Sequence, residues 1–485
     1  MGKKKSITVG YRYFFDIFMG LCRGPIDDVI EIRVGDRTAW HGSVQNTDGY
    51  VRIDAYNLFG GEKGEGGVRG DFWLHMGSNL QTNIPGLEAM VGPRPAFRGK
   101  VTAFYSGIVS MLNPYPKKWT FRVRRTSGGW EGGSAWYADK ATIVMTRPVT
   151  AGEVTSSPEI HAMNPAHIIL ECLTNTAWGL GVPLSMLNVA QFTNCADRLH
   201  SEGFGLCLRW SKRDTIKTFI STVLDHISAT LYNDPATGLL TLKLIRFDYD
   251  RNTLPLFTSD TGLLRIEEAP VAALPTMVNE CTVTFRDPIT NKDQTVGIQN
   301  LASIQASGGS FNSISRTFAG IPTPDLALRV AQRELRAQSV GLRRFRVVLD
   351  RRAWNMVPAG VFRIQDLSRG IPDTVVRIGR IDRGNLTKGE MKFDVVNDVF
   401  SFPLTAYAAP VYAPNRPKPE AKPAYSTVFE MPYFMIVGGT SPADFAYIPQ
   451  EAGYIATLAV RPDPMHGGYE IGVRDGAPTP DEQPT

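Results

Sequence analysis

The chain has 485 residues, too many for one hydrophobic core and enough for about three or four domains. Its 52 Lys and Arg nearly balance 47 Asp and Glu, and a formal charge of +5 excludes a protein whose main task is coating nucleic acid. No apolar stretch is long enough to cross a bilayer, and the five cysteines, Cys22, Cys172, Cys195, Cys207 and Cys281, lack Cys-x-x-Cys spacing and read as reduced core thiols of a cytoplasm-made protein without a signal peptide.

The start, Met1-Gly2-Lys3-Lys4-Lys5-Ser6, matches a myristoylation pattern, but so short a match arises by chance and reads as a solvated basic end. Residues 13–21 are apolar yet interrupted by Asp16. Strands are expected at 30–34 and 37–40 around a Gly35-Asp36 turn, and again at 71–76. The glycine-heavy run 57–70 has neither dinucleotide-fingerprint nor P-loop spacing, so it reads as a loop between strands. Residues 117–125 alternate bulky with basic side chains, which sets Arg122 and Arg124 on one face of a strand. The Gly- and Ser-rich run 127–134 reads as a tether.

The central stretch carries the sharpest signals. Asn164 and Pro165 suit the cap and first turn of a helix, because asparagine can accept an orphan amide bond and proline has no N–H to waste. Asn188 opens a second helix, with Val189, Phe192, Cys195, Ala196 and Leu199 on its stripe and Gly203 at its end. Alternation over 204–210 predicts a short strand. Asp214 is expected to cap a third helix, whose stripe is Ile216, Phe219, Ile220, Val223, Leu224 and Ile227. A hairpin follows, with strands at 230–232 and 239–246 around turn-forming residues.

Beyond it, strands are expected at 277–286, 294–298, 342–349, 374–381 and 391–400, with a helix over 325–338 buried through Ala327, Leu328, Ala331 and Leu335. Five prolines between Pro410 and Pro423 mark an extended linker. Past the linker, 427–437 and 454–460 look like strands of a small β domain, and 475–485 closes no structure.

Catalytic and metal patterns are missing. There is no His-Glu-x-x-His and no Gly-x-Ser-x-Gly elbow, and the seven histidines show no ligand spacing, so no catalytic, metal or cofactor residue is assigned. Asp248, Asp250 and Asn252 match the first ligand positions of a calcium loop, but Thr253 replaces its turn glycine and Ser259 its glutamate. His167 and His226 read as packed or surface histidines. Cys172, beside Glu171 and near His167, reads as inert packing rather than a nucleophile. The adjacent carboxylates Asp27-Asp28 and Glu267-Glu268 would point to opposite sides of a strand; glycosidase acids are assembled across the fold, so a pair is neither established nor excluded, and nothing favours one.

The order Asn164-Pro165-Ala166-His167, Thr174-Asn175-Thr176-Ala177-Trp178-Gly179-Leu180-Gly181, Ala196-Asp197-Arg198-Leu199, Leu231-Tyr232-Asn233-Asp234, Thr237-Gly238 and Leu244-Ile245-Arg246 closely resembles the tail hub, or tail-tip attachment, proteins of long-tailed bacteriophages. The likeness extends more loosely over 7–402, and departs from the family where Pro358-Ala359-Gly360 stands in place of Pro-Gly-Asp. It implies an α+β, mostly β fold. Two tube-forming, β-barrel-like domains flank a small α/β domain, with a β segment at the end. The implied divisions are a β hub domain at 1–150 with an inserted subdomain at about 45–125, the α/β domain at 151–260, a second tube-like domain with one helix at 261–404, the linker at 405–425, and a β domain at 426–485 that either naturally ends there or was cut.

The implied function is structural, not enzymatic: a homotrimeric hub at the tail tip that adapts a sixfold tube to a threefold tip, closes the channel, and takes part in host attachment and genome ejection. Implied partners are a distal tail protein ring, the end of the tape-measure protein, tip or receptor-binding fibre proteins, and DNA in transit, with no stable membrane anchor. Arg122 and Arg124 then either line the lumen or belong to an ordinary solvated face. The readings from other classes are a tail-associated cell-wall hydrolase and a carbohydrate-binding module.

Overall fold

The computed structural model describes residues 11–45, 49–61, 64–110, 115–126, 136–147, 159–211, 214–268, 278–339, 343–385, 387–401, 425–449, 451 and 453–460. The expected tether at 127–134, the Pro-rich linker and the two termini lie outside them. Contacts divide the chain into two units, 1–409 and 410–485.

The first unit begins with strands β1 (Tyr13–Arg23), β2 (Asp28–Val34), β3 (Arg37–Gln45), β4 (Gly49–Ala55) and β5 (Val68–Met76), a short helix α1 (Pro85–Val91), then β6 (Lys100–Ser110) and β7 (Trp119–Arg124). They form two sheets, ordered β1-β6-β5-β4 and β3-β2-β7. Burial alternates residue by residue along β1. Phe15, Ile17, Met19 and Leu21 therefore pack inward against Phe72, Leu74 and Tyr105, while Phe14, Asp16 and Phe18 face outward. The glycine-heavy run before β5 is a tight turn in which Gly60, Gly61 and Gly66 take positive φ, a region where only glycine is unstrained.

The middle of the chain comprises β8 (Thr142–Thr146), β9 (Glu159–Met163), α2 (Pro165–Thr174), α3 (Val189–Ser201), α4 (Ile216–Ile227), β10 (Ala229–Asn233) and β11 (Leu240–Leu244). Asn164 caps α2 as its sequence suggests: its Oδ1 accepts from Ala166 N at 3.1 Å, and its Nδ2 donates to Lys140 O at 3.0 Å and Ala196 O at 2.9 Å. One fully buried side chain thus joins three segments. Replacing Asn164 by alanine removes a cap and strands two buried carbonyls, so it is expected to cost about 2 kcal/mol, read from denaturant unfolding.

Asn188 caps α3, also as expected. The third cap is Thr215 rather than Asp214: the threonine Oγ1 accepts from Thr218 N, one position later than the sequence suggested. The strand expected at 204–210 does not form. Leu206 makes a single bridge to Met163, and Cys207 donates to Gly320 O, so the alternating pattern there records burial rather than a ladder.

Strands β12 (Leu256–Phe257), β13 (Leu263–Glu268), β14 (Glu280–Asp287) and β15 (Lys292–Gln299) follow, then α5 (Leu301–Ala306), β16 (Ser313–Phe318) and α6 (Pro324–Ser339), and finally β17 (Arg344–Leu349), β18 (Val361–Asp366), β19 (Ile371–Asp382) and β20 (Met391–Asn397). Helix α6 lies on the β15-β14-β16 sheet, and this pair shares one core with the central helices: Ile169, Phe192 and Val223 meet Cys281, Phe285, Leu326 and Leu335. The six-stranded sheet β12-β18-β19-β20-β17-β13 has a separate core around Phe257, Phe345, Phe362 and Phe393. The fold is mostly β with a helical centre. Each sheet ends in unpaired strands among the described residues, so none closes into a barrel within this chain.

In the second unit β21 (Tyr425–Glu430) pairs with β22 (Ile455–Val460), with α7 (Tyr433–Gly439) and α8 (Pro442–Phe445) between them. The apolar run Phe434–Val437, expected as strand, is helical; so short a run fits either period, and the break at Met431-Pro432 separates it from β21. No described residue of this unit is buried.

Candidate functional site

Arg122 and Arg124 do share a face of β7, and pairing with β2 sets them opposite Glu31 and Asp28. Each guanidinium lies 3.4 Å from its carboxylate. Glu31 also accepts from Arg33 Nε at 2.7 Å and Thr38 Oγ1 at 2.6 Å. Burial alone would raise its pKa, but these hydrogen bonds and the Arg122 charge outweigh burial and hold the carboxyl below the usual range. At Asp28 burial prevails and the carboxyl sits above its usual range, despite bonds from Ser43 Oγ and Val44 N. Burial lowers Arg122, and Glu31 opposes it. The two arginines are thus half-buried members of a neutralised network rather than a bare basic wall.

The network runs on into the next body. Arg33 donates to Ile289 O at 2.9 Å, and Arg147 lies 3.5 Å from the buried Asp287 at the end of β14. Sequence reading passed over Glu31, Arg33, Arg147 and Asp287, because their pairing joins residues up to 256 positions apart. The one local hint was Asp27-Asp28: the two carboxylates do diverge, Asp27 to Thr126 and Asp28 to Arg124.

A second junction holds the helical centre. His226 is buried; its Nδ1 lies 2.7 Å from Thr222 O and its Nε2 accepts from Gly320 N at 3.1 Å. A ring that donates through Nδ1 and accepts through Nε2 must be neutral. Burial holds its pKa below the ordinary histidine value, and the nearby Arg333 acts in the same direction. Burial likewise lowers His167, whose Nε2 lies 3.1 Å from Tyr137 O. Because the folded-state pKa values are depressed, the unfolded chain binds more protons as pH falls through about 6.5. Stability from both histidines is therefore full above that pH and declines below it. Thermal unfolding is expected at higher temperature at neutral pH than at mildly acidic pH, with a shallower dependence in His226→Gln.

The remaining chemical candidates are occupied by packing. Cys172 is buried, and desolvation, aided by the Glu171 charge, pushes its thiol up to about 12, so it is no thiolate near neutral pH. Burial also drives Glu171 upward, against the pull of Arg125 at 3.8 Å. Cys195 and Cys281 are core thiols as expected, whereas Cys22 is exposed on the outer face of β1 and Cys207 is half-buried. Asp250 caps the turn at Arg251–Thr253 through Asn252 N, a structural use for part of the calcium-like run. No cluster of three or more His, Cys, Asp or Glu suited to a metal occurs among the described residues.

The surface most suited to contact is the outer face and edge of the first sheet. β1 is an end strand of eleven residues, with no strand on its outer side among the described residues. Phe14 is 69 % exposed, and Phe18 packs at a tilt against Phe97 with ring centroids 5.1 Å apart. Across the sheet Phe104 and Trp73 continue the aromatic row beneath Ile84 and Leu87, which bury Phe104, and the row surfaces again at Tyr50.

Residues 216–381 match the family described as putative phage tail protein. Among solved structures the chain is similar in fold to a component of the virion of a native gene transfer agent particle, with a TM-score of 0.51, 13 % identity, and 82 % of this chain and 85 % of that one covered. Weaker likenesses, with TM-scores of 0.32 and 0.30, are to a tail protein from Neisseria meningitidis MC58 (9 % identity, 77 % and 97 % covered) and to the 43 kDa tail protein of prophage MuSo2 from Shewanella oneidensis (10 % identity, 78 % and 100 % covered). No curated protein matches the sequence. Residues 216–381 thus resemble a family of putative phage tail proteins, and the chain shares its fold with a gene transfer agent virion component.

Proposed function

We propose that three copies form the hub at the distal tip of a tail, where they adapt a sixfold tube to a threefold end, close the channel, and take part in host attachment and genome ejection. The role is structural rather than enzymatic. Two β bodies per chain, one before and one after the helical centre, give a trimer six comparable faces. The observation that carries this reading is the β1 edge, unpaired among the described residues, since a long edge of that kind beside exposed Phe14 and Phe18 is a hazard unless a neighbour covers it. On this reading the hub, assembled in the host cytoplasm, meets a distal tail protein ring above and the end of the tape-measure protein within. It carries tip or receptor-binding fibre proteins below, and DNA passes only in transit. If Arg122 and Arg124 face the lumen, they do so already paired with Glu31 and Asp28.

The test is the mass of the purified chain in native mass spectrometry, with projection images of the same sample. A trimer with threefold symmetry is expected, and Phe14→Asp with Phe18→Asp should leave monomers whose circular dichroism is unchanged. A wild-type chain that stays monomeric throughout the micromolar range, with neither a tail ring nor tape-measure protein to bind it, would sink the proposal.

A further inference from the structure

A polar cleft of about 370 Å³ lies between the exposed side of α3 and the β10–β11 hairpin. Gln191, Asn194 and Arg198 line it from the helix, and Tyr232, Lys243 and Asp248 from the hairpin and the segment after it. Most charges at its walls are already used. Arg198 reaches Glu202 at 2.8 Å, and Arg246 binds the same carboxylate through two nitrogens at 2.9 and 3.0 Å. Asp234 closes its own turn by accepting from Ala236 N at 2.9 Å.

Lys243 is different. The residue is half-buried, and its ammonium makes no hydrogen bond or ion pair among the described residues. Burial lowers its pKa; Asp248 partly opposes this, but that carboxylate is exposed and hydrated. A desolvated cation without a contact partner gains more from an incoming anion than a hydrated one does, because part of its dehydration has already been met by folding. The side chains of Gln191, Asn194 and Tyr232 likewise make no hydrogen bond among the described residues and supply donors and acceptors around it.

We propose that this cleft binds a carboxylate-bearing ligand, with the Lys243 ammonium as its ion partner and the Gln191 and Asn194 amides and the Tyr232 hydroxyl fixing the polar remainder. The carboxylate comes either from an acidic side chain of a neighbouring polypeptide or from a small dicarboxylate. The chemistry at Lys243 is the same for both.

The experiment uses the full chain at low ionic strength, where exposed charge attraction is least screened. Glutarate and an end-blocked hexaglutamate peptide are titrated separately by calorimetry, and wild-type lysines are acetylated with and without each probe and mapped by mass spectrometry. Binding of at least one probe is expected, with selective shielding of Lys243. Lys243→Met should weaken that binding about tenfold, whereas Lys217→Met, an exposed lysine on α4, should leave it within about twofold. Binding of glutarate assigns a small ligand, and binding of the peptide alone assigns a polypeptide. Equal losses in both lysine variants, or acetylation of Lys243 unaffected by either probe, would overturn the site even if Lys243→Met folds poorly.

Discussion

Replacing Asp398 by alanine is expected to cost about 3–5 kcal/mol, the penalty of stranding a buried cation. Asp398 follows β20 and is 1 % exposed in its side chain; Arg377 on β19 is 9 % exposed and donates to it from Nε at 2.8 Å. The guanidinium also donates to Ala359 O at 2.9 Å and Arg246 O at 3.2 Å, and Tyr249 gives its hydroxyl proton to the other Asp398 oxygen. Desolvation raises the Tyr249 phenol, and the Asp398 bond adds to that, so Tyr249 stays a donor at any ordinary pH. One buried cluster therefore ties the six-stranded sheet to the end of the helical centre. In Asp398→Ala, the unfolding transition of that sheet should separate from the rest and move to lower denaturant. The double change Asp398→Ala with Arg377→Met should recover part of the loss, since no charge is then left uncompensated. A single transition at the wild-type midpoint would show that the cluster does not couple the two bodies.

The second large effect is expected from Gly107→Ala. Gly107 on β6 faces Gly70 on β5, with the Tyr105 hydroxyl above the pair. A Cβ on Gly107 would come within 2.5 Å of Gly70 Cα and 2.8 Å of Tyr105 Oη, and closer still to Arg69 O. Two of these neighbours are backbone of a central strand pair and cannot step aside. Tyr105 is itself held by its bond to Ile108 O at 2.6 Å. A loss of about 3 kcal/mol is expected, at the upper end for overpacking, and the proposed trimer would fail with it. Soluble expression and native mass measured together would reveal it; a stable variant that assembles normally would contradict this account of the glycine pair.

The sequence announced features whose chemistry is local. Asn164 and Asn188 could be named as caps because a cap is made within three residues of itself. The same logic slipped by one position at Asp214 and Thr215, where two cap-forming residues stand side by side and only packing chooses between them. Alternation identified the shared face of Arg122 and Arg124, yet it promised a strand at 204–210 where only one bridge forms; in β1 the apolar run hid the alternation, because its outward face also carries Phe14 and Phe18. Nothing local could have paired Arg122 with Glu31 or seated Lys243 beside α3, since those contacts depend on which strands and helices meet. The recognisable hub-like motifs lie in the helical centre, where caps and turns repeat as short words. The long-range ionic junctions leave no such trace.

A guanidinium with a carboxylate 3.4 Å away acts outward as a dipole, whose field dies off faster with distance than that of a lone charge. A long polyanion drawn along the face carrying Arg122 and Arg124 would be steered by close approach only, and would find nowhere to stick. If that face lines the proposed channel, low friction there is worth more than affinity.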